Sequence, residues 1–105
     1  MRTLLAFPKF FCTIGRGETL IKLAGIQISC TEDKVRNVEK AIQFARIAAD
    51  KGANVLAFPE LFSTHWFPRD MDPQSFSLAE GMNGPTIQKM REVAREKDVA
   101  LVCPI

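Results

Sequence analysis

The sequence predicts an α/β fold built on a parallel sheet, and three features carry that expectation. Apolar stretches at residues 22–29 and 54–58 flank a segment of helical period. Strand, helix and strand in so short a length make a βαβ unit, whose two strands run parallel. The run Val55-Leu56-Ala57-Phe58 does not alternate with polar residues, which is the pattern of a strand covered on both faces. A second helical period after Gly84, followed by the apolar run at residues 99–102, repeats the helix-then-strand order.

Bulk composition narrows the class. With 105 residues the chain has room for one domain, and 47% hydrophobic with 25% charged residues is ordinary for a globular protein. The net charge of +2 arises within the first twenty residues, where Arg2, Lys9 and Arg16 face only Glu18; the remaining eleven basic and eleven acidic residues balance. No basic face therefore argues for nucleic acid or an anionic membrane. Cys12, Cys30 and Cys103 are odd in number and lack ligand spacing, so neither a disulfide framework nor a metal site is expected, and a reducing, cytoplasmic home follows. No apolar run approaches the roughly 18 residues of a membrane span.

In chain order, residues 1–20 are basic and apolar, with Pro8 and Gly15-Arg16-Gly17 breaking any long helix. They lack the serine-rich, strongly arginine-rich character of an organelle presequence and the cleavage site of a secretory signal. A poorly ordered N-terminal extension is expected over 1–20, with the folded domain at 21–105. Gly15-Arg16-Gly17 is too short to be a phosphate loop.

Residues 22–29 suit a strand, with Ala24, Ile26 and Ile28 on one side and Leu23, Gly25 and Gln27 on the other. Thr31 is the expected cap of the next helix, with Glu32 and Asp33 in its first turn. Val35, Val38, Ile42, Ala45 and Ala49 form its apolar stripe, and Lys34, Arg36, Lys40 and Lys51 read as a solvated face. Gly52 ends the helix in the left-handed position that suits glycine. Residues 61–83 form a long segment rich in aromatics and broken by prolines and glycines, the composition of a lid or binding wall. Pro85 suits the first turn of the second helix, whose buried stripe is Ile87, Met90, Val93 and Ala94. The chain stops after a third strand at residues 99–102, leaving an edge open to further strands, so the protein of origin is expected to continue.

Glu60 is the candidate for chemistry. Pro59 stops the strand ladder, which places Glu60 past the strand's carboxyl end, where open α/β folds put their ligand crevices. Held among Phe58, Leu61, Phe62, Trp66 and Phe67, its carboxylate would lose hydration and rise toward the range of a general base. The same position also suits a carboxylate that caps a backbone or pairs with a lysine, and position alone leaves both open. His65, the sole histidine, reads as a satisfied or surface imidazole. Trp66, Phe67 and Phe76 read as loop anchors on the core, with Trp66 and Phe67 also candidates for substrate contact.

Several pieces together resemble the N-terminal part of the nitrilase, or carbon-nitrogen hydrolase, superfamily. They are Lys22-Leu23-Ala24-Gly25-Ile26-Gln27, the helix carrying Asn37, Gly52-Ala53-Asn54-Val55-Leu56-Ala57-Phe58-Pro59-Glu60, and Gly84-Pro85-Thr86. The resemblance implies part of a four-layer α-β-β-α sandwich, commonly dimerised, and a catalytic Glu, Lys and Cys. Only the Glu has a matching position, Glu60; Cys103 falls in the third strand and does not match the nucleophile. Implied as well are no cofactor, a small linear amide, N-carbamoyl amine or nitrile as substrate, an amidase-like branch, and a homodimer in the complete form. The chain alone is then expected to be inactive. The alternative is a non-catalytic truncated α/β module for binding or assembly. A nucleotide-binding α/β domain is disfavoured, because no glycine-rich loop follows the first strand.

Overall fold

The computed structural model of the chain describes residues 10–16 and 19–105, with side chains from Leu20 onward. Strand β1 (Phe10–Arg16) pairs antiparallel with β2 (Thr19–Gly25), and helix α1 (Lys34–Asp50) leads to β3 (Val55–Ala57). Two short 3-10 turns, Phe67–Arg69 and Pro73–Leu78, precede helix α2 (Pro85–Lys97) and strand β4 (Ala100–Val102). The sheet runs in the order β1-β2-β3-β4, with β2, β3 and β4 mutually parallel as the two βαβ units require.

The sequence reading assigns no element before residue 22, whereas Phe10–Arg16 forms a strand paired along its length. Its aromatic and β-branched residues favour extended backbone, and the proline and glycines that bar a long helix do not bar a strand. Residues 1–9 and 17–18 of the expected extension, and the thiol of Cys12, lie outside the described residues.

Register decides which face is covered. Ala24, Leu56 and Leu101 form one row across the parallel strands, and the neighbouring rows Leu23-Val55-Ala100 and Gly25-Ala57-Val102 point the opposite way. The first row, extended by Ile26 and Phe58, packs under Ala41, Phe44, Ala45 and Ala48 of α1 and Met90 and Val93 of α2. Alanine at three contact positions of α1 brings that helix close to the sheet. Leu56 is fully buried there, worth about 1.5–3 kcal/mol relative to exposure.

The opposite face is open: Ala57 and Ala100 are exposed, Val55 is half-buried, and Ile21 and Val102 are 45% and 52% exposed. The expected two-sided burial of Val55 to Phe58 thus holds for one face of this chain only, because both helices lie on the same side.

Helix α1 departs from its expected cap and stripe. Its cap is Asp33, whose Oδ1 accepts from Arg36 N at 3.0 Å, while the Thr31 hydroxyl accepts from Asp33 N at 3.2 Å and donates to Asn37 Oδ1. Its buried face is Asn37, Val38, Ala41, Phe44, Ala45 and Ala48, and Val35 is 59% exposed. Gly52, at φ +92°, ends the helix in the left-handed conformation expected of it.

Candidate active site

Beyond β3, Phe58 N donates to Val102 O at 3.0 Å and Leu61 N donates to Pro104 O at 2.9 Å. Residues 58–61 therefore run alongside residues 102–104, and Glu60 sits between two backbone anchors at the carboxyl ends of β3 and β4. Leu61 adopts φ +55°, a left-handed conformation that costs a residue with a β-carbon about 1–2 kcal/mol. The turn persists because its surroundings hold it: Thr64 N donates to Leu61 O at 3.0 Å, and the Cys30 thiol donates to Phe62 O at 3.0 Å. Phe62 is fully buried, its ring 4.9 Å from that of Phe58.

The Glu60 side chain itself is exposed, and it makes no hydrogen bond or ion pair among the described residues. Its aromatic neighbours in sequence do not enclose it. Phe58 and Phe62 turn inward to the core, while the carboxylate between them faces out, which corrects the expectation of a desolvated group in this chain.

The aromatic segment also divides. Phe67 is half-buried and lines a cavity of about 260 Å³ with Ser63, Thr64, Phe76, Lys34 and Glu80; the His65 ring meets it edge-on at 6.4 Å. Trp66 is 55% exposed and Phe76 82% exposed, so neither is the core anchor that the sequence suggests. The structure does not bring Glu60 or Trp66 into the cavity that Phe67 lines.

Sequence reasoning missed Lys34 and Glu80. Lys34 Nζ lies 2.9 Å from Glu80 Oε1, and the carboxylate also accepts from Thr86 N at 3.1 Å and Thr86 Oγ1 at 2.9 Å. Partial burial pushes the Glu80 carboxyl upward, but the hydrogen bond and charge of Lys34, with two hydrogen bonds from Thr86, outweigh it and hold the group below the usual carboxylate range. The signal in the sequence was faint: Lys34 follows the cap directly, where the helical pattern reads as solvated.

Cys30 and Cys103 are free thiols. Burial pushes Cys30 upward against the opposing charge of Lys40, and burial pushes Cys103 up to about 11. Both are therefore neutral near pH 7, the wrong state for a nucleophile. Among the described residues, no group of three His, Cys, Asp or Glu side chains could hold a metal ion, and no helix is long and apolar enough to cross a membrane.

A parallel α/β sheet that presents a carboxylate where two adjacent strands end has the layout of proteins that act on small molecules at their strand tips. The model of the carbon-nitrogen hydrolase family matches residues 22–105, and the chain belongs to that family. It is 35% identical over 83 residues to an N-carbamoylputrescine amidase of Solanum lycopersicum, covering 78% of this chain and 28% of that protein. It is 33% identical over 85 residues to nitrilase homolog 2 of Dictyostelium discoideum, covering 81% of this chain and 25% of that protein. To the omega-amidase NIT2 of Mus musculus it is 34% identical over 85 residues, 77% of this chain and 28% of that protein. The chain thus spans little more than a quarter of the length of these relatives.

Proposed function

We propose that this chain is the N-terminal part of an amidohydrolase that cleaves a non-peptide carbon-nitrogen bond in a small linear amide or N-carbamoyl amine. The observation that carries the reading is the place of Glu60, fixed by backbone bonds at the carboxyl ends of two parallel strands in a member of this family. Amidase names among the relatives favour an amide over a nitrile as substrate.

In this mechanism Glu60 takes the proton from a cysteine thiol, and the thiolate attacks the amide carbon. A lysine stabilises the negative charge that develops on the former carbonyl oxygen. Ammonia or an amine leaves with the proton, giving a thioester. Water then attacks the thioester with Glu60 as base, releasing the acid and the thiol. The lysine and cysteine come from sequence beyond this chain: Lys34 is committed to Glu80, and the neutral, half-buried Cys103 thiol is unsuited to attack. The chain by itself is then inactive. Trp66 and Phe67 are the aromatic wall of this reading, joined with Glu60 in one site only when the open face of the sheet is covered by a second sheet in a four-layer sandwich.

The test is turnover by the complete hydrolase on linear amides, N-carbamoyl amines and nitriles, with Glu60→Gln beside it. Loss of a base lowers kcat by about 10²–10⁴-fold. Undiminished turnover in the variant removes Glu60 from the mechanism. The competing reading, a non-catalytic module, is favoured by the exposure of the Glu60 side chain and predicts no turnover on any of the three substrate classes.

A further inference from the structure

We infer that the first turns of α1 clamp both ends of the segment that follows Glu60, with Asn37 holding its start through Ser63 and Lys34 holding its end through Leu78 and Glu80. Asn37 is 1% exposed, and all its bonding capacity is used. Its Nδ2 donates to Ser63 O at 3.2 Å and to Thr31 O at 2.7 Å, and its Oδ1 accepts from Thr31 N at 2.8 Å and Thr31 Oγ1 at 3.1 Å. One turn earlier, Lys34 Nζ donates to Leu78 O and to Glu80 Oε1, each at 2.9 Å. Glu80 in turn grips Thr86 at the start of α2. Gly84 leaves room for that grip, since a β-carbon there would stand 2.7 Å from Glu80 Cβ.

Between these anchors, neither the turn Phe67–Arg69 nor the turn Pro73–Leu78 contains a buried residue. A stretch without core contacts of its own takes its position from its ends. Ser63 of the first anchor and Lys34, Leu78 and Glu80 of the second all line the cavity of about 260 Å³. The clamp therefore shapes that cavity, whose wall includes residues of both anchors and Phe67. In its catalytic consequence this rests on the reading of Glu60 and the aromatic wall given above, and Lys34 and Asn37 are then positioning residues.

The experiment is chymotryptic cleavage after Phe76 under native conditions, whose rate follows the population of the opened segment when reclosing is fast. Lys34→Met and Glu80→Gln each accelerate cleavage tenfold or more, the double variant adds little to either, and Lys34→Arg restores resistance. Arg46→Met, which breaks the exposed pair with Glu96, leaves the rate unchanged. In the unaltered chain, the carboxamide protons of Asn37 exchange with solvent as slowly as the amides of Ala41 and Ala45. In the complete hydrolase, Lys34→Met raises KM while kcat stays within about threefold, and Lys34→Arg recovers the KM.

The clamp is overturned if Lys34→Met leaves cleavage after Phe76 unchanged, or speeds it no more than the urea-measured unfolding equilibrium shifts. Fast exchange of the Asn37 carboxamide overturns it equally. If Glu60→Gln retains full turnover while the cleavage and exchange results stand, the base assignment falls and the clamp survives.

Discussion

Val102→Asp separates a sheet that faces water from one that is covered in the complete protein. Val102 lies on the face of the sheet opposite the helices, in register with Ala57, and is 52% exposed in this chain. In the 105-residue chain the substitution removes little burial, and the loss of strand preference keeps the change to about 1 kcal/mol or less. If a second sheet covers this face in the complete protein, the same substitution forfeits about 1.5–3 kcal/mol of side-chain burial. It also strands an unpaired carboxylate between two sheets, a further several kcal/mol. Urea unfolding of both lengths, with the slope checked for constancy, measures the difference directly. A loss at least about 3 kcal/mol greater in the complete protein is expected. Equal losses in the two lengths would refute the four-layer arrangement at this face.

Two further outcomes follow from ionisable groups. The Glu80 carboxyl is held below its ordinary value, so the stability it contributes is present above the unfolded carboxyl value of about 4.3 and is lost as pH falls through the lower folded value. Acid titration of the melting temperature falls over that range, and Glu80→Gln flattens the slope. The Cys103 thiol, raised from an ordinary value of 9.0 to about 11, favours the folded chain below pH 9, an advantage lost as pH rises toward 11. At pH 8 its alkylation by iodoacetamide, followed peptide by peptide, is at least tenfold slower in the folded chain than in urea; equal rates would contradict the burial of this thiol.

How far the sequence disclosed the fold depended on whether a pattern had one structural meaning. The period-two face of Ala24 and Ile26, the left-handed Gly52 and the Pro85 start of α2 each admit few alternatives, and each lies where its pattern puts it. The stripe of α1 was ambiguous because alanine suits either face. Val35, Ile42 and Ala49 drew the stripe one way, while the sheet kept Val38 and Ala45 and selected Ala41, Phe44 and Ala48 beside them, with a polar residue, Asn37, inside it. No hydrophobic pattern flags a buried asparagine, since what makes it tolerable is Thr31 and Ser63 arriving from elsewhere in the chain.

Glu60 marks the boundary between what position predicts and what environment decides. Its location at the strand tips was legible from Pro59 and the apolar run before it. Its hydration was not, because nearness in sequence to five apolar side chains says nothing of which way each one turns. Phe58 and Phe62 satisfy the core and leave the carboxylate outside. If Glu60 is the base proposed above, its working environment has to come from groups packed over the strand tips, since none of the described residues encloses it. The fixed features are the backbone anchors at Phe58 and Leu61, and the left-handed strain at Leu61 is the cost of aiming the turn. What this chain supplies is the place of the carboxylate, held at the strand tips by the backbone on either side of it.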